Sequence, residues 1–293
     1  MEDIAEEEQK QEQETSSEEE DYWFHCSVDE PVGPSGRSGH DTEAQKWRDS
    51  TVIYEFDSSF EREDRRTFHV AVRQIEQATC VRFKEKSEVG DNTYKGPFTV
   101  IMKSMNCTRK TCKGGGGVVD YLGETWSLLS IINHVLNPQS QRSVGLLVHE
   151  LLHVLGLVHT QKRPDRDQFI TILEDNIEDS PLARHQYAPC DHCETYGTNY
   201  DCMSIMHYRS CTLSAYAGAC DLLKYTGRSY KPTMMPADGN SECDLRSLNN
   251  TVLTESDIEL INAMYCGGSR GGISIGGNSG RGGISIGGNS GIG

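Results

Sequence analysis

The feature that most constrains this chain is a short segment near its middle, running from His149 to His159. It reads His-Glu-Leu-Leu-His-Val-Leu-Gly-Leu-Val-His. The apolar run from Val144 to Val148 comes just before it and predicts a buried helix. Histidines four residues apart lie on one helix face, one turn apart, so His149 and His153 can bind the same zinc ion.

The residues around this histidine pair predict a catalytic metal rather than a structural one. Gly156 tolerates the left-handed conformation that ends helices, so the chain can turn there and bring back His159 as a third ligand. Three protein ligands leave one position for water, which is typical of catalytic zinc. Glu150 is then a candidate general base. Two histidines on a helix are also compatible with an ordinary amphipathic surface, but Gly156 and His159 make the pattern far more restrictive.

A second motif lies downstream, at Ser204-Ile205-Met206-His207-Tyr208. The longer histidine motif followed by such a methionine turn is similar to the metzincin signature. A phenol at Tyr208 could donate a hydrogen bond to a developing oxyanion, and the alternative is an ordinary core tyrosine. We expect His207 to be structural and not a fourth ligand.

Charge and hydropathy exclude two classes of partner. The net charge is −16, and residues 1–21 carry eleven acidic side chains and one lysine, which leaves −6 for the rest of the chain. We therefore expect an acidic, disordered N-terminal segment and no nucleic-acid partner. No apolar run approaches the roughly 18 residues of a membrane span, so we expect none.

The eleven cysteines indicate an oxidising compartment. Sequons at Asn106 and Asn249 are candidate glycosylation sites and agree with secretion, although no signal peptide is recognisable after Met1. The pair Cys190 and Cys193, in Cys-Asp-His-Cys, could form half of a zinc knuckle, but disulfides are favoured in this context.

Periodicity predicts strands and helices in alternation, hence an α+β lobe beside the metal. The C-terminal end instead repeats an eleven-residue glycine-rich unit, residues 270–280 and 281–291, which predicts a flexible tail. The predicted strands are Thr51–Phe56, Cys80–Phe83, Phe98–Met102 and the strand-like stretch Val118–Ile132, and the predicted helices are Phe60–Thr79 and Ser256–Tyr265.

Several segments in one order resemble the astacin family of zinc metallopeptidases over about residues 38–267. They are Thr79–Phe83, the zinc motif, Arg163–Asp167, Asn176-Ile177, Ser204–Tyr208 and Met264–Cys266. The resemblance implies a two-lobed metzincin (zincin) fold. Its N-terminal lobe would hold a twisted mixed sheet and two long helices, its C-terminal lobe would be irregular and disulfide-rich, and the substrate cleft would lie between them.

The same resemblance implies a secreted zinc endopeptidase that cleaves proteins or peptides with one Zn²⁺ ion. The implied residue roles are zinc ligands at His149, His153 and His159, a general base at Glu150, an apolar support at Met206, a mobile oxyanion donor and weak ligand at Tyr208, and a disulfide between Cys80 and Cys266. An edge strand near Trp126–Ile131 would pair with the extended substrate. The implied domains are 1–37 as acidic pro-segment, 38–267 as peptidase and 268–293 as tail.

The chain also departs from the family pattern. Thr160 stands where the family has a glutamate that meets the freed N-terminus, expected here at Ser38, so that end should be less tightly anchored or pair elsewhere. The family's second disulfide usually has a cysteine shortly before the zinc helix, but none lies between Cys112 and His149 here. Cys107 and Cys112 could pair with each other instead. Residues 1–37 lack the family's Phe-x-Gly-Asp latency motif, and Cys26 is only a weak substitute for it.

Two alternative interpretations of the sequence stay open at this point. Another metzincin branch would share the zinc motif but not Tyr208 and the flanking segments. A non-catalytic binding or matrix protein would typically have lost a ligand or the base, and this chain keeps them all. Arg209 could favour acidic substrate side chains or simply face solvent. The sequence does not indicate an oligomeric state.

Overall fold

The computed structural model describes residues 46–90, 94–104, 116–121, 126–132, 136–191, 193–216, 231–238, 243, 245 and 251–267. The helices are α1 (Arg62–Ala78), α2 (Gln141–Val154), α3 (Pro181–His185) and α4 (Glu255–Tyr265). The strands are β1 (Thr51–Phe56), β2 (Arg82–Glu85), β3 (Phe98–Ser104), β4 (Gly116–Tyr121), β5 (Trp126–Ile132), β6 (Ile170–Ile172) and β7 (Met234–Pro236). Short 3-10 helices span Arg48–Ser50, Lys86–Glu88, Thr160–Lys162, Arg166–Gln168 and Glu174–Asn176.

The first five strands form one mixed sheet in the order β2-β1-β3-β5-β4. All neighbours are parallel except β4 and β5, which are antiparallel. Because β5 is paired on both sides, the predicted edge strand at Trp126–Ile131 is wrong, and among the described strands β2 and β4 lie at the two edges of the sheet. Both halves of the stretch from Val118 to Ile132 have strand character, and composition cannot tell which half pairs with β3.

Helix α1 covers the sheet with one apolar face. Its buried residues Phe68, Ala71, Val72 and Ile75 fall at helical spacing, as the sequence predicts. They join the same hydrophobic cluster as β1 and α2, so the metal-bearing helix is held on the body of the domain.

Helix α2 begins at Ser140, whose Oγ accepts a hydrogen bond from the Ser143 backbone N–H at 3.3 Å. It passes very close to a neighbouring segment, since a Cβ on Gly145 would lie 2.6 Å from the Thr251 carbonyl oxygen. Just after the helix, Gly156 has φ of +93°, the left-handed conformation predicted for the turn.

The segment after the zinc motif is irregular and has a second hydrophobic cluster, which contains Ile170, Tyr187, Cys202, Tyr208 and Met234. A two-stranded antiparallel sheet of β6 and β7 contributes to it. Disulfides join Cys80 to Cys266, Cys190 to Cys193 and Cys202 to Cys243.

The architecture is therefore α+β, as expected, with a mixed-sheet lobe and an irregular, disulfide-bonded lobe. Among the described helices, none has the length and apolar character needed to cross a bilayer.

Candidate metal centre

Three histidines converge at the junction of α2 and the following turn. One ring nitrogen from each of His149, His153 and His159 lies within 4.8 Å of the others. Among the described residues, this is the group of potential metal-binding side chains that the structure brings together. Helix α2 supplies the first two, and the turn at Gly156 brings back the third. The Nε2 atoms of His153 and His159 are 3.3 Å apart.

Backbone carbonyls fix the orientation of two of these rings. The Nδ1 of His149 lies 2.7 Å from the Ile205 carbonyl oxygen, and the Nδ1 of His153 lies 2.7 Å from that of Leu157. Since a carbonyl only accepts, each Nδ1 carries the proton and each Nε2 keeps its lone pair. The Nε2 of His149 is buried and has no hydrogen-bond partner within the described ranges, which fits a metal ligand.

Burial favours the neutral form of His149 and His159, which is the form that binds metal. Desolvation lowers the pKa of His149 from 6.5 to about 4, against a small opposite effect of the bond to Ile205. Desolvation, followed by the charges of His153 and His149, lowers the pKa of His159 well below its usual value. Three converging imidazoles, two of them oriented by carbonyl acceptors, are a donor set that zinc prefers, so the residues present fit Zn²⁺.

The structure describes both candidate catalytic residues, Glu150 and Tyr208. Glu150 follows His149 on α2 and is fully buried. The Tyr208 ring lies 4.3 Å from the His159 ring, centroid to centroid. Its hydroxyl donates to the Gln186 Oε1 at 3.4 Å, and its backbone N–H donates to the Gln161 Oε1 at 3.1 Å.

Two further residues of the methionine turn have structural surroundings. His207 uses both ring nitrogens within the protein, with Nδ1 donating to the Tyr208 carbonyl at 2.7 Å and Nε2 accepting from the Tyr200 hydroxyl at 2.8 Å. No nitrogen is then left for a metal. Met206 is buried in the main core, and its carbonyl accepts from the Thr160 N–H at 2.9 Å.

Sequence reasoning missed the residues that support the site. Gln161 and Gln186 contact Tyr208 without any recognisable motif. Asp257, on α4, accepts from Ser204 in the methionine turn at 2.6 Å. A capping-box pattern at the start of α4 could have marked Asp257, but only as a helix start.

A cavity lies behind the methionine turn and is distinct from the histidine cluster. Its lining includes Thr160, Ser204, Met206, Asp257 and Leu260, and it includes none of the three histidines. The Thr160 hydroxyl donates to the Ser204 Oγ at 3.0 Å, so the position where the family resemblance implies a glutamate carries here an uncharged, hydrogen-bonded hydroxyl.

Some of the other sequence predictions can be compared with the structure, and others cannot. The bond between Cys190 and Cys193 removes both sulfurs from any zinc knuckle. Arg209 is partly buried, and its contribution to specificity stays a prediction. Several residues singled out in the sequence lie outside the described residues. They are the sequon asparagines Asn106 and Asn249, the expected start at Ser38, and the cysteines Cys26, Cys107 and Cys112.

A mixed sheet, a helix bearing two metal ligands, a third ligand after a glycine turn and a buried methionine turn define a metzincin-type metallopeptidase domain. The sequence model of the astacin peptidase family matches residues 39–266. The chain therefore belongs to the astacin family, whose members depend on zinc.

Individual relatives agree with this placement. The chain is 30% identical over 224 residues to zinc metalloproteinase nas-10 of Caenorhabditis elegans, covering 76% of this chain and 36% of that protein. It is 30% identical over 215 residues to zinc metalloproteinase dpy-31 of Haemonchus contortus, covering 73% and 34%. The chain thus spans about a third of the length of these relatives.

A solved structure supports the fold. It is high choriolytic enzyme 1, a hatching enzyme zinc-protease from the medaka Oryzias latipes, with a TM-score of 0.55 at 21% identity. The match covers 78% of this chain and 99% of the medaka chain.

Proposed function

We propose that this protein is a secreted zinc endopeptidase that hydrolyses peptide bonds of proteins, with Glu150 as general base. The observation that carries the proposal is the trio of converging histidines, with a buried glutamate directly after the first of them in sequence. Bound Zn²⁺ would supply a Lewis acid that activates water and polarises the scissile carbonyl. His149, His153 and His159 would hold it.

The chain's own residues then account for the proton transfers. Glu150 would accept the proton of the attacking water and return it to the leaving amine. The Tyr208 hydroxyl would leave Gln186 and donate to the negative oxygen of the tetrahedral intermediate. The contact at 3.4 Å between these two side chains is long for a hydrogen bond, so little is lost when it breaks.

The substrate would bind as an extended strand along β4. Within the described ranges β4 pairs on one side only, with β5, so its other side presents backbone donors and acceptors. Arg209 is a candidate for selecting acidic substrate side chains.

The proposed setting is extracellular. Structural disulfides such as the one joining Cys80 to Cys266 support secretion, because they persist in oxidising compartments. In this organisation residues 1–37 form an acidic pro-segment of a zymogen, 38–267 the catalytic domain and 268–293 a glycine-rich tail. Asn106 and Asn249 would be glycosylated.

Glu150→Gln tests the assigned role directly. The change keeps the shape of the side chain but removes the base, so zinc should stay bound while hydrolysis of a peptide library falls by orders of magnitude. Zinc content and turnover are measured with and without a chelator. Glu63→Gln, on the exposed side of α1, is the matched control and should behave like the wild type.

Two outcomes would count against the proposal. Near-normal turnover of Glu150→Gln would remove this residue from the mechanism. A zinc-loaded wild-type protein that binds peptides of the library but cleaves none would instead favour the alternative, a non-catalytic binding or matrix protein on a peptidase scaffold.

A further inference from the structure

A single buried carboxylate, that of Asp257, connects the C-terminal helix to the methionine turn. Asp257 lies in the first turn of α4 and is only 3% exposed. Its Oδ2 accepts from the backbone N–H of Thr254 at 3.0 Å and from the Thr254 hydroxyl at 3.1 Å. The first of these bonds, together with the one that the Thr254 Oγ1 accepts from the Asp257 backbone N–H at 3.2 Å, forms a capping box, which alone would make Asp257 a helix-capping residue.

The same carboxylate also binds the methionine turn, more than fifty residues earlier in the chain. The Ser204 hydroxyl donates to Oδ1 at 2.6 Å, and the Ile205 backbone N–H donates to Oδ2 at 3.1 Å. Capping a helix does not require burial, and burying a carboxylate is unfavourable unless its oxygens are hydrogen-bonded. The burial of Asp257 is therefore explained by its contacts with the turn and not by the cap.

Those contacts lead directly to a zinc ligand. The Ile205 backbone N–H donates to the Asp257 carboxylate, and the Ile205 carbonyl accepts the Nδ1–H of His149 at 2.7 Å. Such an acceptor fixes the ring orientation and the tautomer of a ligating histidine. The position of the Ile205 peptide thus decides where the Nε2 of His149 lies.

A second connection reaches the third ligand. The Ser204 hydroxyl donates to Asp257 and accepts from the Thr160 hydroxyl and from the Met206 N–H, each at 3.0 Å. Thr160 follows His159, and its backbone N–H is bonded to the Met206 carbonyl at 2.9 Å. Ser204 uses its one donor and two acceptor sites in this arrangement, so it has a single compatible orientation.

We infer that Asp257 is a positioning residue for the metal centre. By holding Ser204 and Ile205, it fixes the imidazole of His149 and the backbone next to His159 in the arrangement that binds zinc. The inference concerns zinc retention and goes beyond the proposed peptidase activity. Burial raises the pKa of Asp257, in agreement with a carboxylate held in place against its desolvation cost.

Asp257→Asn tests this role with little change in shape. If the amide oxygen keeps the place of Oδ2, the amide N–H₂ faces Ser204 and the hydroxyl can no longer donate there. The Ser204 hydroxyl must then turn, and its bond with Thr160 is disturbed. We expect the zinc dissociation constant of the full chain, measured by competition with a chelator, to rise about tenfold or more. The absorption spectrum of the Co²⁺-substituted protein should also change.

Thr254→Val is the matched control, because it removes the capping hydroxyl but leaves Asp257 bonded to the turn. It should lower the melting temperature, as Asp257→Asn does, while the zinc dissociation constant and the cobalt spectrum stay as in the wild type. These readouts do not depend on catalysis, so they test the inference even if the protein proves inactive.

Ser204→Ala is a second test that keeps the Asp257 carboxylate and its helix cap. It should weaken zinc binding by a smaller factor than Asp257→Asn does, and it serves alone if Asp257→Asn does not fold. Wild-type zinc affinity in Asp257→Asn would refute the positioning role and leave Asp257 as a cap. If only Ser204→Ala can be measured, wild-type affinity in that variant refutes the role.

Discussion

Tyr208 is packed through its ring and hydrogen-bonded through its hydroxyl. Its ring lies against His159, and its hydroxyl has a long contact to Gln186. Tyr208→Phe keeps the ring and removes the proposed oxyanion donor. We expect turnover of a peptide substrate to fall by about 10²–10³ with zinc still bound, a smaller loss than for Glu150→Gln.

Tyr187→Phe provides the comparison for that loss. Tyr187 is a buried tyrosine whose ring lies 5.9 Å from that of Tyr208, and its hydroxyl bonds to Thr212 and Thr233. This variant should lose stability and keep its turnover per folded molecule. Equal turnover in the two variants would make Tyr208 a packing residue.

His207 predicts an acid-sensitive contribution to stability. Burial lowers its pKa from 6.5 to about 4 in the folded protein. Between these values the unfolded chain binds the proton and the folded chain does not, so stability is lost as the pH falls from 6.5 to 4. The slope contributed by His207 is about 1.4 kcal/mol for each pH unit in that window.

His207→Asn should remove this contribution. Unfolding free energies of the wild type and the variant are compared by denaturant titration at several pH values and one zinc concentration. The difference between them should shrink as the pH falls through the window, because only the wild type carries the titration of His207. Parallel curves would show that His207 does not titrate there.

At the scale of single elements, α2 depends on two glycines for different reasons. Gly145→Ala gains about 1 kcal/mol of helix propensity. It also places a Cβ 2.6 Å from the Thr251 carbonyl oxygen, a backbone atom that cannot swing aside. Overpacking of this kind costs about 1–3 kcal/mol. We therefore expect a net loss of stability, measured as a lower denaturant midpoint.

Substituting asparagine, as well as alanine, at positions 145 and 156 distinguishes this packing effect from an effect of backbone conformation. Gly156 has open space around a Cβ but a φ of +93°, and asparagine tolerates that region better than alanine. At position 156 asparagine should be less destabilising than alanine, and at position 145 it should be more so. The same order at both positions would contradict the packing argument for Gly145.

The elements that could be predicted from the sequence are those whose pattern is local. The apolar spacing in α1, the histidine spacing in α2 and the strand composition of β1 each depend on neighbours in the chain. The order of β4 and β5 could not be predicted, because pairing depends on distant residues. The contacts of Gln186 with Tyr208 and of Asp257 with Ile205 were missed for the same reason, since each joins side chains brought together only by folding.

At the scale of the whole molecule, the disulfide between Cys80 and Cys266 joins the region after α1 to the end of α4, 186 residues apart. Replacing both cysteines with serine should cost about 2–4 kcal/mol, since the unfolded chain gains freedom. Thermal unfolding of the zinc-loaded protein measures this loss. Turnover well below the melting temperature should be unchanged, because neither cysteine belongs to the histidine cluster.

The disulfide between Cys202 and Cys243 is the contrasting case. It lies in the same hydrophobic cluster as Tyr208. Its double serine variant should lower turnover as well as stability, because the surroundings of Tyr208, the proposed oxyanion donor, loosen. If both double variants lost turnover equally, we would conclude that the two disulfides do not differ in their effect on the active site.

The position of β4 at the edge of the sheet has a consequence for the targets of the proposed peptidase. A six-residue strand offers about 20 Å of main chain, and a polypeptide can pair with it only after giving up its own helix or sheet there. Native targets would then be protected by their folded state and attacked through brief local opening. Their half-lives would follow how often each segment opens, more than which side chains flank the cleaved bond.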